Sequence, residues 1–541
     1  MKDISSTGSF VDFTLENFIY VDKTVYIPQL VKLKRVFISR PRRFGKSLTL
    51  DTIATLFETG VEPYFKGTWI YDKWTEPTYP VLRLNFLNFD KNSIEKFNKK
   101  LNSKITEFAE LNHVTTYKEK EEAEDSIDHL LEQLRLENRQ IVILIDEYDC
   151  QMTANINNES LYKQFQEKIK SIYANIKDKF AIKFLGITGV TRLKDVSIFS
   201  VGSDIRDITN SSAYSQMIGF TRDEIKKFYI DYLKLAASYE NNCNVDEVTD
   251  TQIESLLDRL AQNYDGYCFD EDYEKKVFST WSVNTFLQSV VDKKKVQFGE
   301  YWYDNGGLPS ILVNYLKTHE LNIFEYLDKD KFLKVSSDDF KNPTALTTIN
   351  QNVLMCQTGY LTLRSDLNKT STVALGIPNG EIYKALNRLL ANNIFKGNTD
   401  ITDDYGRSLL EVGTVDDIIN LFNSALNSVS YDNYPIVSES SVQNMLKLYL
   451  LGAHQEVLSE VHEAKGRADL IVNTDNRRIV FEFKYAKNET ETKAKLSEAV
   501  EQIKTRDYGN ILPKKNELIR IAAVFNADPK VRAFTENQIV P

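Results

Sequence analysis

The feature that most constrains this chain is an apolar run that leads into a glycine-lysine-serine turn. The apolar residues are 36–38 and the turn is Gly45-Lys46-Ser47, followed by a helical pattern to about Phe57. A buried strand that passes through such a turn into a helix N-terminus presents several backbone N–H groups to an anion. The pattern therefore predicts an α/β fold whose first strand ends in a phosphate-binding loop.

The residues of this loop have separate predicted roles. We expect Lys46 to reach the β- and γ-phosphates of ATP and the Ser47 hydroxyl to ligate Mg²⁺. Gly45 allows the backbone to approach the phosphates closely. Arg43 and Phe44 complete the predicted ATP-binding loop. The same short pattern also occurs by chance after a strand, so a second element is needed to support the interpretation.

That second element lies about 100 residues further on. Residues 141–145 form a continuous apolar run, as expected for a central parallel strand, and Asp146-Glu147 follow it directly. Asp146 is predicted to hold Mg²⁺ and Glu147 to polarise the attacking water. The alternative is an ordinary buried strand that ends in an acidic turn.

Two further apolar runs, residues 81–86 and 181–187, fit the same sheet, with helices on both of its faces. The second run ends at Thr188, a polar residue placed to sense the γ-phosphate. Arg192 or Arg206 would contact the phosphates, in this subunit or in a neighbouring one. For each single arginine, a surface salt bridge is the simpler interpretation.

Four segments together resemble the AAA-ATPase-like proteins of bacteria and their relatives. They are residues 18–24, 39–47, 145–149 and 187–192. In that family the loop reads RPRRFGKS, so an arginine such as Arg40 at the position of the usual first glycine is typical of the family. The resemblance implies ATP binding and ATP hydrolysis. It also implies a nuclease-like C-terminal domain, which family members commonly carry.

The length and composition indicate several domains in a cytoplasmic protein. At 541 residues we expect an ATPase domain over 1–215, a helical lid region over 216–435 and a third domain over 436–541. No apolar run is long enough to cross a membrane, and the four cysteines form no CxxC pair. The net charge of −10 means that any contact with DNA or RNA needs a local basic patch.

The middle region reads as mostly helical. A capping box at Thr221 and Glu224 starts one helix. Further on, a helix, a hairpin with its turn at 366–370, and another helix follow the order of a winged-helix unit. Such units bind DNA in some proteins and act as spacers in others. The sequence leaves both roles open.

The last hundred residues predict the element order αβββαβ. The helices are 440–451 and 489–504, and the strands are 456–462, 467–472, 478–484 and, as the last strand, 518–525. This order resembles the PD-(D/E)XK nuclease superfamily, whose fold is that of the restriction endonucleases.

Three residues of this region suggest metal-dependent phosphodiester chemistry. Asp469 and Glu482 lie on adjacent predicted strands, and a period of two puts Glu482 and Lys484 on one face. The two carboxylates would bind Mg²⁺ or Mn²⁺, and Lys484 would orient the water or neutralise charge. The resemblance adds Glu439 as a further metal ligand and Gln502 as a nucleic-acid contact. The alternative to a metal site is an ordinary hairpin with charged residues on its solvent-exposed face.

The sequence as a whole favours an ATPase coupled to a nuclease-like domain that cuts DNA or RNA. A homo-oligomer is compatible with arginines that act across subunits. The alternatives are a nucleotide-dependent switch whose C-terminal domain only holds a ligand or partner, and an ATPase that serves protein–protein signalling.

Overall fold

The computed structural model describes most of the chain. The described residues are 1–177, 179–193, 204–302, 310–316, 323–343, 345–346, 348–367, 371–395, 406–453, 455–463, 466–510, 514–515 and 517–541. They form two compact units. The first comprises Met1–Leu321 with Asp330–Ile382, and the second comprises Asn322–Lys329 with Tyr383–Pro541. No described helix is long and apolar enough to cross a membrane.

The core of the first unit is a parallel sheet. Its strands are β1 Arg35–Ser39, β2 Val81–Asn85, β3 Ile141–Asp146, β4 Ile182–Gly189 and β5 Arg206–Asp207. Their order in the sheet is β2-β3-β4-β1-β5, and every pairing is parallel. Every residue of β3 is buried, which explains its unbroken apolar sequence. The predicted parallel sheet is confirmed, and β4 separates the strand of the loop from the strand that ends in Asp146.

Helices α1 to α7 belong to the same part of the chain. They are α1 Phe10–Leu15, α2 Ile27–Leu33, α3 Lys46–Thr59, α4 Ile94–Leu111, α5 Ala123–Leu136, α6 Cys150–Ala154 and α7 Glu159–Ile176. Helix α3 starts at the lysine of the predicted loop and packs on β2, β3 and β4. It therefore presents its N-terminus at the ends of the strands.

Four helices follow as a cluster with its own apolar core. They are α8 Arg222–Phe228, α9 Ile230–Asn241, α10 Asp250–Tyr264 and α11 Thr280–Lys293. The predicted capping box of Thr221 and Glu224 forms at the start of α8. The core of the cluster also contains Ile19 and Val21 from the N-terminal segment. The middle helices therefore share a core with the beginning of the chain.

A small antiparallel sheet completes the first unit. Its strands are β6 Leu333–Ser336, β7 Thr362–Leu363 and β8 Thr372–Gly376, in the order β6-β8-β7. The neighbouring helices are α12 Ser310–Leu316, α13 Ser337–Lys341 and α14 Gln351–Thr358, and α15 Gly380–Ile394 begins in this unit and continues into the second. The predicted hairpin is β7 and β8, and residues 368–370 of its turn lie outside the described residues. The winged-helix assignment stays a prediction.

The second unit contains a mixed sheet flanked by helices. The helices are α16 Arg407–Val412, α17 Val415–Asn427, α18 Glu439–Gly452 and α19 Glu489–Arg506. The strands are β9 Glu456–Glu463, β10 Gly466–Asn473, β11 Arg477–Ala486, β12 Glu517–Asn526 and β13 Ala533–Ile539. Their order is β13-β12-β11-β10-β9, with β11 and β12 parallel and the other pairs antiparallel.

The predicted order αβββαβ is present, but the prediction that β12 is the last strand is wrong. Strand β13 follows it and pairs with it as an edge strand. Its sequence, AFTENQI, is mostly polar and only one of its seven residues is buried. A strand with so little apolar signal gives no clear period-two pattern.

Candidate functional site

The loop between β1 and α3 has the backbone shape of a phosphate cradle. Gly45 caps α3 with a φ of 103°, and Arg43 has a φ of 66°. A Cβ atom on Gly45 would meet no atom within 4 Å, so the dihedral angle, and not space, calls for glycine here. The first N–H groups of α3 lack partners within the helix, which suits an anion at this turn.

Lys46 is buried in the middle of this loop. Its Nζ donates hydrogen bonds to the carbonyl oxygens of Arg40, at 3.0 Å, and Pro41, at 3.1 Å. The same atom lies 3.6 Å from Oε1 of Glu147. The ammonium is therefore held at the loop and is paired with the carboxylate that follows β3.

The Asp146 carboxylate accepts hydrogen bonds from polar side chains near the ends of the neighbouring strands. The Ser47 hydroxyl donates to Oδ2 of Asp146 at 2.6 Å, and the Thr188 hydroxyl donates to Oδ1. Because β4 lies between β1 and β3, the end of β4 brings Thr188 to both the loop and Asp146. The structure thus brings together the four predicted residues Lys46, Ser47, Asp146 and Thr188.

Glu147 has an unusual backbone and an altered acidity. Its φ is 53°, a left-handed conformation that a residue with a side chain seldom adopts. Burial raises the pKa of its carboxyl group, Lys46 opposes this rise, and the charges of Asp149 and Asp146 add to it. A strained carboxylate with a raised pKa beside the loop is suited to act on a water molecule.

Arg40 occupies the position where a glycine is usual, and it acts on the protein itself. Its side chain is only 1% exposed and donates to the carbonyl oxygens of Ser39, at 2.9 Å, and Thr209, at 2.6 Å. The guanidinium lies 4.1 Å from the ring centroid of Phe269. Burial lowers the pKa of Arg40 to about 9. The arginine therefore anchors the base of the loop.

Aromatic residues of the middle region hold the rest of the loop. The buried Phe44 ring meets Tyr267 edge to face, with centroids 4.7 Å apart. The Arg43 guanidinium stacks 3.9 Å from the ring centroid of Trp281, and Thr280 donates to the Arg43 carbonyl at 3.0 Å. Phe44 is therefore fixed by packing, and it lines a cavity beside the loop together with Arg43.

Trp302 connects the loop to the beginning of α15. Its Nε1 donates to the carbonyl oxygen of Arg42 at 3.3 Å, and its backbone N–H donates to Oε1 of Glu381 at 2.7 Å. Glu381 is 2% exposed, and its Oε2 accepts from the Ser282 hydroxyl at 2.7 Å. No sequence pattern indicates this connection, because its members are far apart in the chain.

A cavity of about 390 Å³ adjoins the loop. Its size is in the range of small-ligand sites. The loop residues 42–49 and Glu147 form one side. The other side is mostly apolar and includes Tyr20, Phe220, Tyr229 and Trp281. A ligand with phosphates at the loop would place an apolar or aromatic group on this second side.

Asp149 is a residue whose role the sequence did not reveal. Its buried carboxylate accepts hydrogen bonds from the backbone N–H of Thr191, at 2.6 Å, from the Thr191 hydroxyl, at 2.6 Å, and from the N–H of Val190. The Tyr148 hydroxyl donates to the Thr191 carbonyl at 3.1 Å. These two residues fix the segment that follows Thr188. Their position directly after Asp146-Glu147 was the available signal.

The two predicted phosphate-contacting arginines have different surroundings. Arg192 forms an ion pair with Asp207, and its backbone exchanges hydrogen bonds with the Gln357 amide at 3.2 Å each. Arg206 lies exposed in β5. The contact of either residue with a phosphate stays a prediction.

A second group of predicted residues lies on adjacent strands of the second unit. Leu470 pairs with Phe481 in the antiparallel ladder, so Asp469 is opposite Glu482 one step further along. Oδ2 of Asp469 accepts a hydrogen bond from the backbone N–H of Phe483 at 2.9 Å. The register therefore places both carboxylates on one face of the sheet.

Glu482 is a buried carboxylate with one unpartnered oxygen. Its side chain is 0% exposed, and its Oε2 has no hydrogen-bond partner within the described part of the chain. Burial raises the pKa of Glu482 to about 7, and the nearby charge of Asp469 adds to the rise while Lys484 opposes it. A buried carboxylate oxygen without a partner is costly unless a cation binds it. These residues therefore fit a divalent metal.

Lys484 lies beside this carboxylate. Its Nζ donates to Oε1 of Glu482 at 2.9 Å, to Oε1 of Glu439 at 3.3 Å and to the Phe483 carbonyl at 3.2 Å. Burial lowers the pKa of Lys484, but the charges of Glu482, Glu439 and Asp469 outweigh burial and raise it. Lys484 thus joins Glu439 to the other predicted residues.

Among the residues that the structure describes, no three Asp, Glu, His or Cys side chains form a group able to hold a metal. The ammonium of Lys484 contacts both Glu482 and Glu439. Asp469 and Glu482 are the pair that fits a metal best. The role of Glu439 as a ligand stays a prediction.

Two glutamines complete the surroundings of this site. Gln502, the predicted nucleic-acid contact, lies in α19 and donates to the Tyr508 hydroxyl at 3.4 Å. Arg506 donates to the same hydroxyl at 2.9 Å. Gln443 in α18 donates to the Asp469 carbonyl at 2.5 Å and so supports the strand. No sequence pattern indicates Gln443, because its contact is with a backbone atom.

Comparison with known proteins assigns both regions. Residues 5–199 match a family model described as predicted AAA-ATPase, and residues 437–535 match one described as the PD-(D/E)XK nuclease superfamily. The chain therefore contains one region similar to each of these two families. The AAA-ATPase-like region contains the loop and Asp146, and the PD-(D/E)XK region contains Asp469, Glu482 and Lys484. Both resemblances seen in the sequence are confirmed.

A protein of Azotobacter chroococcum mcd 1 is similar to nearly the whole chain. It is called an uncharacterized protein in the vnfD 5′ region, and it is 26% identical over 531 residues. The match covers 95% of this chain and 94% of that protein. The similarity therefore spans both the AAA-ATPase-like region and the PD-(D/E)XK region of this chain.

Solved structures give weaker similarities. A Walker-type ATPase of Pyrococcus abyssi matches with a TM-score of 0.35 and 12% identity over 67% of this chain and 94% of its own. The Orc1 protein of Aeropyrum pernix, solved in complex with DNA, matches with a TM-score of 0.27 and 10% identity over 69% and 95%. We draw no argument from scores this low.

Proposed function

We propose that the AAA-ATPase-like region binds ATP with Mg²⁺ and hydrolyses it. The observation that carries this proposal is the shared carboxylate of Asp146, which both Ser47 and Thr188 contact. Bound Mg²⁺ would neutralise phosphate charge, with Ser47 and Asp146 as its protein ligands. Lys46 would bind the β- and γ-phosphates, and Thr188 would contact the γ-phosphate.

Glu147 would act on the attacking water in this reaction. Its carboxylate would accept a proton from the water as the water attacks the γ-phosphorus. The pairing of Lys46 with Glu147 supports this arrangement, because it places the carboxylate 3.6 Å from the ammonium that would hold the phosphates. The cavity beside the loop would hold the adenosine moiety.

ATP binding and phosphate release test this proposal with three variants. We expect Lys46→Ala to lose most nucleotide affinity, and Glu147→Gln to keep that affinity but lose hydrolysis by about a hundredfold or more. Lys34→Ala is the matched control, since Lys34 is a lysine outside the loop. Unchanged binding by Lys46→Ala would overturn the proposal.

We also propose that the PD-(D/E)XK region is a metal-dependent nuclease for DNA or RNA. The unpartnered buried oxygen of Glu482 carries this proposal. Bound Mg²⁺ or Mn²⁺ would lower the pKa of a water molecule and stabilise charge on the phosphate. Asp469 and Glu482 would hold the metal, with Glu439 as a further ligand. Lys484 would orient the water, and Gln502 would contact the nucleic acid.

Plasmid cleavage with Mg²⁺ or Mn²⁺ tests the second activity. We expect the wild type to cut and Glu482→Ala to be inactive, with Glu498→Ala as a control, since Glu498 is a glutamate of α19 paired with Lys495. Isothermal titration with Mn²⁺ should show binding that Glu482→Ala abolishes. Equal cleavage by the wild type and Glu482→Ala would contradict the assignment of the site.

We further propose that the nucleotide state controls the nuclease-like region. What supports this is the connection from the Arg42 carbonyl through Trp302 to Glu381 in the first turn of α15. Residues 380–382 of this helix belong to the first compact unit and 383–394 to the second. Cleavage measured with and without ATP, in the wild type and Lys46→Ala, tests the coupling.

The second candidate is a nucleotide-dependent switch, or an ATPase that serves protein–protein signalling, whose nuclease-like region only holds a ligand or partner. One observation favours it: in the described residues, the Lys484 ammonium already forms ion pairs with both Glu482 and Glu439. ATP hydrolysis without cleavage under any metal condition would select this candidate. Cleavage that depends on Glu482 would exclude it.

Three further predictions remain proposals. The domain boundaries 1–215, 216–435 and 436–541 are to be tested by limited proteolysis. A homo-oligomer in which Arg192 or Arg206 contacts a neighbouring nucleotide is to be tested by sedimentation with and without ATP. A cytoplasmic location is supported by four free cysteines.

A further inference from the structure

The last residue of α19, Arg506, is a partly exposed cation. Its Nη1 donates a hydrogen bond to the Tyr508 hydroxyl at 2.9 Å, and Nε2 of Gln502 donates to the same hydroxyl at 3.4 Å. Because Gln502 and Arg506 are one helical turn apart, they lie on the same side of α19. The Tyr508 hydroxyl therefore holds the two side chains together.

Tyr508 is buried against the sheet face that carries Glu482. It packs in one core cluster with Val480, Ala522 and residues of α19. Val480 precedes Glu482 by two residues in β11, and Ala522 is the partner of Glu482 in the parallel ladder with β12. Side chains two residues apart in a strand share a face, and so do register partners in neighbouring strands. Tyr508 and α19 therefore cover the face on which Glu482 and Asp469 lie.

The carboxylates of this face act on Arg506 through their charge. The Tyr508 hydroxyl raises the pKa of Arg506 most, burial opposes the rise, and the charges of Glu482 and Asp469 add to it. In the described part of the chain, no carboxylate forms an ion pair with Arg506. Lys484, by contrast, forms ion pairs with two carboxylates at the site. Arg506 is therefore near the site, and its described hydrogen bond is to a neutral hydroxyl.

We propose that Arg506 binds the phosphate group of the nucleic acid that lies at Asp469 and Glu482, and that Tyr508 positions the guanidinium for it. This inference rests on the proposed nuclease-like function and adds a substrate-binding residue to it. A guanidinium presents several N–H groups in one plane, which suits two oxygens of a phosphate. The hydrogen bond to Tyr508 restricts the side chain in advance, so less entropy is lost when the phosphate binds.

Fluorescence anisotropy tests this with the full chain in EDTA, which withholds the metal needed for cutting. The probes are a labelled DNA hairpin with a single-stranded tail and the RNA of the same sequence. On the probe that the wild type binds more tightly, we expect Arg506→Gln to weaken binding by about tenfold. The same variant should lower the salt dependence of binding by about one phosphate contact, and Arg506→Lys should keep that dependence.

Lys504→Gln is the matched control for the loss of charge. Lys504 is an exposed lysine in the same last turn, but it lies about 200° around the helix from Arg506. This variant should bind like the wild type. The inference is overturned if Arg506→Gln keeps the affinity and the salt dependence of the wild type, or if Lys504→Gln lowers both equally. Failure of the wild type to bind either probe also overturns it.

Tyr508→Phe tests the positioning role, because it keeps the buried ring and removes the hydroxyl. We expect it to weaken binding less than Arg506→Gln does and to keep the salt dependence, since the charge remains. In a chain that already carries Arg506→Gln, it should have no further effect on affinity. Additive effects of the two changes would overturn the positioning role. Circular dichroism should show that both variants fold, since each keeps the buried ring of Tyr508 or changes a partly exposed residue.

The failure of this inference differs from the failure of the proposed nuclease activity. Binding that depends on Arg506, in a chain that never cuts, keeps the phosphate contact and removes the activity. Cleavage that Arg506→Gln retains in full, together with unchanged binding, keeps the activity and removes the contact.

Discussion

At the scale of single residues, the acidity of Glu482 makes the stability of the second unit depend on pH. Its pKa is raised from the ordinary value of 4.5 to about 7, mainly by burial. The folded protein therefore holds this proton more tightly than the unfolded chain does. The stabilisation is complete below about pH 4.5 and is lost as the pH rises through about 7. The whole change amounts to about 3 kcal/mol.

We therefore expect the free energy of unfolding of the wild type to fall between pH 5 and pH 7 relative to that of Glu482→Gln. Denaturant titrations at several pH values in EDTA measure this difference. Saturating Mn²⁺ should remove the fall, because the metal replaces the proton on the carboxylate. Parallel pH curves for the two proteins would contradict the assigned acidity.

Single residues also show what the sequence can and cannot predict. Lys46, Ser47 and Asp146 were predictable, because the spacing of a strand, a turn and a helix fixes where they lie. The role of Asp149 was not, because its partners, Val190 and Thr191, are about 40 residues away. The role of Gln443 was not predictable for a similar reason, since it contacts a backbone atom of another element.

At the scale of elements, β4 depends on close contact with the segment after β3. A Cβ atom on Gly189 would lie 2.5 Å from Cδ1 of Tyr148 and 2.7 Å from Oδ1 of Asp149. We expect Gly189→Ala to lower the free energy of unfolding by about 1–3 kcal/mol, because the overlap must push the strand end away. The rate of ATP hydrolysis should fall as well, since Thr188 moves with that end.

Chemical denaturation and phosphate release measure the two effects. Gly8→Ala is the control for stability, since its added Cβ meets only Ser47, at an ordinary 3.9 Å. Wild-type stability in Gly189→Ala would mean that the strand end has more room than the structure gives it.

Helix α15 provides the second prediction at this scale. Trp302→Phe removes the indole N–H that contacts the Arg42 carbonyl but keeps an aromatic ring against Tyr360. If the nucleotide acts on α15 through this contact, ATP should change hydrogen exchange of amides 383–394 in the wild type and not in the variant. Trp69→Phe, at an exposed tryptophan, is the control. An unchanged ATP effect in Trp302→Phe would exclude this route.

The predictability of the elements follows their burial. The strands β1, β3 and β4 had clear apolar runs, because both faces of the parallel sheet are covered there, whereas the edge strand β2 exposes Arg83. The strand β5 has two residues and β13 is mostly polar, so neither has a readable pattern. Each was defined only by the neighbouring strand to which it bonds.

At the scale of the whole molecule, the two compact units should respond to different ligands. A ligand that binds only the folded state stabilises the unit that holds it, by about 2.7 kcal/mol at a hundred times its Kd. We expect calorimetry to show two transitions, of which ATP with Mg²⁺ raises one and Mn²⁺ alone raises mainly the other. Lys46→Ala should remove only the first response, and Glu482→Ala only the second.

A single transition that both ligands shift equally would show that the two units unfold together.

The sequence predicted three regions from changes in pattern along the chain. It could not reveal that Ile19 and Val21 pack in the same core as Leu233 and Leu257, because the two pairs are more than 200 residues apart. Such sharing is a property of the folded chain alone.

The ion pair of Lys46 and Glu147 has a consequence for timing. One member would hold the phosphates and the other would activate water, and each neutralises the other. A triphosphate that attracts the ammonium frees the carboxylate in the same event. The carboxylate would then become available to activate water at the moment when the triphosphate binds.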